Sequence, residues 1–114
     1  MKYNITCVPK PRQTRADKWK KRPCVLRYRA FADECRLNKI TIPEQGSHIS
    51  FYMPMPKSWS KKKKASMLGY PHEQTPDIDN LIKSLMDAVM KQDCGVWDIR
   101  ITKMWAYEGA IEIT

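Results

Sequence analysis

TPDIDNLIKSLMDAV, residues 75–89, is the stretch on which the fold turns. Leu81, Ile82, Leu85, Met86 and Val89, with Met90 just beyond, recur at helical spacing. Residues 75–91 therefore read as an amphipathic helix whose apolar stripe needs a surface to cover it. Thr75 suits the N-cap and Pro76 the first helical position. Asp79, Lys83 and Asp87, spaced by four, share a different face. Asp77 and Asp79 are two apart, and in a regular helix such side chains point to nearly opposite sides. They can approach one ion only if the helix begins at or between them.

Outward from this helix the chain alternates between strand-like and helix-like patterns. YNITCV, residues 3–8, reads as a first strand. A proline-rich basic loop follows, and from Pro23 the residues Cys24, Val25, Tyr28, Phe31, Ala32 and Cys35 fall at helical spacing as far as about Asn38. A short strand is expected at 39–42 and a fuller one at 48–53, HISFYM, rich in aromatic and β-branched residues. The long connection from Pro54 to Pro76 has room for a short helix at 60–68. After the second long helix, VWDIRITKMWAYEGAIEIT gives two strands around a turn near Glu108-Gly109, with Ile99 and Ile101 alternating against Arg100 and Thr102. The expected fold is α+β, a two-layer arrangement of helices on a mixed sheet in the order β-α-β-α-β-β, forming a single domain over residues 1–114.

Composition narrows the class of function. The formal net charge is +9 over 114 residues, and it is unevenly spread. Residues 1–72 hold 17 Lys/Arg against 4 Asp/Glu, whereas residues 73–114 hold 4 against 8. A basic surface with an acidic inset suits a protein that grips phosphates and keeps one anionic pocket for a cation. No apolar run is long enough to span a membrane, and no apolar leader opens the chain, so a cytoplasmic protein is expected. Cys7, Cys24, Cys35 and Cys94 form no CxxC pair, so they read as reduced thiols rather than a zinc site.

The acids have an ordinary explanation. Asp in a first helical turn meets free N–H groups and the positive end of the dipole, worth roughly 0.3–1 kcal/mol. Asp79 and Lys83 can form a plain i,i+4 pair. A different chemistry is suggested by a further acid, Asp98, set between Trp97 and Ile99 at the start of a strand. Mg2+ favours a few carboxylates, with waters and a substrate phosphate completing its octahedron. Such an ion activates water and polarises a phosphoryl oxygen, and Lys83, one turn beyond Asp79, is placed to neutralise developing charge. KWKKR (18–22) and KSWSKKKK (57–64) each set a tryptophan beside several lysines, a combination suited to phosphate contact with base stacking. Lys18, Lys20, Lys21, Arg22, Trp59, Lys61, Lys62, Lys63 and Lys64 are the DNA-contact candidates.

PDIDNLIKSLMDAV followed by GVWDIRITKMW resembles the signature of the RusA family of Holliday junction resolvases, common in phages and prophages. The pattern D-x-D-N-L-x-K-x-x-x-D-A falls on Asp77, Asp79, Asn80, Leu81, Lys83, Asp87 and Ala88, with Asp98 as the third acid. The resemblance implies a homodimer that binds four-way DNA junctions and makes paired, symmetric nicks with Mg2+ or Mn2+, without an organic cofactor or a membrane. It assigns Asp77, Asp79 and Asp98 as metal ligands, Lys83 as the catalytic lysine, and Asn80 and Asp87 as supporting residues. Pro76 stands where the best-known member has a basic, DNA-binding residue, and His72 is the candidate to compensate. Two other readings remain: a non-catalytic junction-binding protein whose acids cap a helix, and a metal nuclease acting on other branched DNA or on RNA.

Overall fold

A computed structural model describes residues 1–9, 23–43, 45–90 and 95–114. The elements run β1 (Lys2–Tyr3), α1 (Pro23–Leu37), β2 (Ser47–Pro54), α2 (Lys61–Met67), α3 (Ile78–Val89), β3 (Ile99–Ala106) and β4 (Ala110–Ile113). The strands form one mixed sheet in the order β1-β4-β2-β3. β2 and β3 are parallel, with Ile49 beside Ile101, Phe51 beside Lys103 and Met53 beside Trp105. β4 is antiparallel to both β2 and β1. The α+β class expected from the sequence is the one observed.

Pleating divides the sheet into two faces. On one, Ile49, Phe51, Met53, Trp105 and Ile111 are buried together with Val25, Tyr28, Phe31, Ala32 and Cys35 of α1 and Leu81, Leu85 and Ala88 of α3. This is the helix face. On the opposite, open face the His48 ring and the Thr102 hydroxyl are hydrogen-bonded at 2.8 Å, and Tyr52 donates to Glu112 at 2.7 Å. The Lys2 ammonium sits 4.7 Å from the centre of the Tyr52 ring. Polar pairing is affordable there because solvent covers that side.

Two segments differ from expectation. Only Lys2 and Tyr3 of the first strand enter the ladder. Ile5 and Cys7 are buried, but the chain there is tied to α3: the Ser84 hydroxyl donates to the Val8 carbonyl and the Cys7 thiol to the Leu81 carbonyl at 3.6 Å. Burial and the neighbouring Cys35 push the Cys7 thiol well above the usual range. The strand expected at 39–42 is not formed. α1 instead ends in a left-handed turn at Lys39 (φ 53°), with the Ile40 N–H donating back to Cys35 at 3.2 Å. Ile40 and Ile42 still enter the core as irregular chain.

The core seats α3 firmly. Leu81 and Leu85 have no exposed surface, and Arg36 of α1 donates to the Ala88 carbonyl at 3.0 Å. Leu85→Ala is expected to lower unfolding free energy by roughly 2–5 kcal/mol, measured by denaturant titration, because the site is walled by both helices and the sheet and cannot collapse freely.

Candidate active site

The entrance of α3 lies two residues later than the sequence suggests. Thr75 does not cap the helix, and the Thr75–Pro76 peptide is cis ahead of it. Asp77 is the N-cap, with an extended backbone (φ −70°, ψ 150°), and its carbonyl accepts the Leu81 N–H at 3.1 Å. Its carboxylate makes no capping hydrogen bond. Asp79 follows in the first turn, and Ile78 stands partly exposed between them. The extended backbone at Asp77 removes the obstacle that a regular helix would set between side chains two apart. Among the described residues neither acid is held in an ion pair, and Lys83, one turn on, is not paired with either. Asp77, Asp79, Asn80 and Lys83 are exposed, and Asp87 is half-buried.

What positions this entrance is a strap along the edge strand. The Gly69 N–H donates to the Trp105 carbonyl at 3.0 Å, Trp105 returns a bond to Tyr70 at 3.0 Å, and the His72 N–H donates to Lys103 at 3.2 Å. The strap then leaves the edge for the helix face, where the Lys103 ammonium takes it over. Lys103 donates to the Gln74 carbonyl at 2.5 Å and to the Pro76 carbonyl at 2.8 Å. Asp77 is the next residue. Lys103 was not singled out in the sequence, although its position carried a signal: it continues the inward register of Ile99 and Ile101, where a lysine needs a partner.

Asp98 is exposed and immediately precedes β3. Its carbonyl accepts the Gly46 N–H at 2.9 Å, so it already follows the register of β3. It precedes Lys103 by five residues, roughly 16 Å along a strand at about 3.3 Å per residue. Among the described residues no three His, Cys, Asp or Glu side chains come together as a group able to hold a metal ion. The entrance by itself still offers two free carboxylates, a donor set that fits Mg2+ binding of the kind completed by water and phosphate.

The basic candidates divide. Lys61, Lys62 and Lys63 are exposed on α2, whose first turn is capped by Ser60 accepting from the Lys63 N–H at 3.2 Å. Lys64 is half-buried. Trp59 is packed against Trp105, with ring centres 4.8 Å apart, and the Lys63 ammonium covers its other side at 4.4 Å. It plugs α2 onto the strand. His72, the candidate to compensate for Pro76, is 5% exposed, its ring tilted against Trp105 with centres 4.3 Å apart. Lys18, Lys20, Lys21 and Arg22 lie outside the described residues.

A concavity of about 360 Å³ lies between residues 4–8 and α1, and neither acid of the pair lines it. The pair itself sits on open surface, accessible to a polymer.

The chain matches the family model for the endodeoxyribonuclease RusA over residues 4–114, nearly its whole length. It belongs to the RusA endodeoxyribonuclease family. It is also 36% identical over 73 residues to the uncharacterized protein YqaN of Bacillus subtilis (strain 168). That match takes in 57% of this chain and 51% of YqaN, so the chain spans about half the length of this relative. No solved structure matches it.

His72 supplies a pH test of this architecture. Burial, and then the nearby Lys103 charge, hold its pKa below the ordinary 6.5, and its Nδ1 is buried without a partner among the described residues. The unfolded chain therefore binds this proton at higher pH than the folded one. Stability is expected to fall as pH drops from about 6.5 through the lower folded value. His72→Phe, which keeps the ring stack, should flatten the dependence of the denaturation midpoint on pH between about 7 and 5.

Proposed function

We propose that the protein is a divalent-metal-dependent endonuclease that resolves four-way DNA junctions by paired, symmetric nicks. The observation that carries this is the uncommitted state of Asp77. An acid present only to cap a helix would spend its carboxylate on the helix N–H groups, and this one makes no such bond. Family membership supplies the reaction class, and the net charge of +9 suits a polyanionic substrate.

In this reading Asp77 and Asp79 hold Mg2+, or Mn2+ in its place. When bound, the ion supplies Lewis acidity toward a phosphoryl oxygen and lowers the pKa of a coordinated water. The chain's own groups do the rest. Lys83 faces the scissile phosphate and neutralises charge on its oxygens, while Asn80 and Asp87 support the turn that carries these residues. The exposed ammoniums of Lys61, Lys62 and Lys63 neutralise neighbouring phosphates. The basic 18–22 segment is assigned the same role from its composition. The protein acts in the cytoplasm of a bacterial host, encoded by a phage or prophage.

Incubation with a labelled four-way junction and Mg2+ tests the reading. Asp77→Asn and Asp79→Asn should each lower the cleavage rate by two or more orders of magnitude while leaving junction binding equal or tighter, since a negative charge near phosphate is removed. Lys83→Met should cost about 10²–10³-fold. A wild-type protein that binds junctions and leaves them intact would establish the non-catalytic alternative instead.

Asp98 is proposed as the third ligand, contributed by a second copy. Asp98→Asn alone should abolish cleavage. Mixing it with Asp77→Asn should restore nicking, since each mixed dimer then contains one intact site. Retained cleavage by Asp98→Asn would remove this residue from the site.

A further inference from the structure

We infer that Lys103 touches the substrate itself, its ammonium donating to a non-bridging oxygen of the DNA phosphate at the α3 entrance. The inference rests on the nuclease reading above and adds a phosphate-binding residue to that site. Lys103 is half-buried on β3. Its ammonium donates to the Gln74 carbonyl at 2.5 Å, at the surface, and to the part-buried Pro76 carbonyl at 2.8 Å. An ammonium carries three N–H donors and accepts nothing. Two are used, and among the described residues the third has no partner.

The charge is also uncompensated. Both partners are neutral carbonyls, and among the described residues no carboxylate forms an ion pair with Lys103. A half-buried cation held by dipoles alone still gains from an anion, and a charge-assisted bond to phosphate is among the stronger ones available to it. His72 registers the field: after burial, the Lys103 charge is what lowers its pKa.

Position decides which anion. The Pro76 carbonyl belongs to the peptide whose nitrogen is that of Asp77. Standard covalent geometry therefore sets the Asp77 Cα within roughly 6 Å of the ammonium. Asp77 and Asp79 are nonetheless exposed and unpaired with it. The cation thus flanks the two acids without quenching them, and a phosphate lying over the acids has an oxygen to offer on that flank. Preorganisation separates this lysine from those of α2. Lys61, Lys62 and Lys63 are exposed, whereas the Lys103 ammonium is already fixed by two bonds and loses little further freedom on binding. A fixed ammonium places one phosphate.

The test is salt-dependent binding of a four-way junction in metal-free buffer, where no strand is cut. Lys103→Gln keeps amide N–H donors for the strap carbonyls and removes the charge. It should weaken binding about tenfold at about 0.1 M salt and lower the slope of log K against log salt by about one. Lys103→Arg, which keeps both charge and donors, should restore affinity and slope. In the wild-type protein, which needs no variant to fold, saturating junction should shield the Lys103 amine from an acetylating reagent, read by mass spectrometry. A Lys103→Gln protein whose slope is unchanged, even with cleavage or affinity lost, would confine Lys103 to holding the strap and overturn the proposal. So would a Lys103 amine that is unreactive in the free protein, or equally reactive with junction bound. Either result leaves the nuclease reading in place, whereas a wild-type protein that binds no junction would overturn both.

Discussion

The grip of one ammonium on two carbonyls organises the functional end of this molecule. Lys103 lies on the inward face of an edge strand, a place where an unpartnered charge is costly. It meets that cost by donating to Gln74 and Pro76, and the strap is thereby fixed where it turns into α3. The position of Asp77 follows. A helix can start at any of several good capping residues, and here the strap delivers the chain to Asp77 with an extended backbone. One packing requirement on β3 thus decides where two acids stand.

Much of the architecture was legible in the sequence because it rests on periodicity. The stripe Leu81–Leu85–Ala88 in α3 and the series Val25–Tyr28–Phe31–Ala32–Cys35 in α1 are both buried as the helical spacing requires. Alternation in β3 marks its inward side. The helix entrance was less legible, since Thr75 and Asp77 are both competent caps by composition, and what selects between them is a bond from Lys103, distant in sequence. The burial of His72 was illegible for a similar reason. Nothing in YPHEQTP signals burial; His72 is covered because Trp105 offers its ring face and the strap pairs with β3. Contacts between segments far apart leave no local pattern.

The same distinction applies to the basic tryptophans. Beside KSWSKKKK, an indole suits base stacking and hydrophobic anchoring equally well on composition. The structure shows Trp59 held between Trp105 and Lys63. Its apolar body anchors α2 to the sheet, and the anchoring turns Lys61, Lys62 and Lys63 to solvent together. On the proposed reading, exposed lysines on a fixed backbone would neutralise a phosphate chain without reading its bases.

The exposure of the acidic pair is itself informative. A small-molecule enzyme surrounds its substrate with walls that exclude water and strengthen local fields. Among the described residues Asp77 and Asp79 are exposed, and the helix entrance alone would leave any bound cation largely solvated. A polyanion changes this balance. On the proposed reading, a phosphate laid across the entrance would supply anionic oxygens to such a cation and the bulk of the nucleic acid would cover it. The positive end of α3 works in the same direction on the phosphate while competing with the cation for the carboxylates. On the proposed reading, a site of this kind favours substrates held there by many other contacts, made by surfaces beyond the entrance such as the exposed lysines of α2.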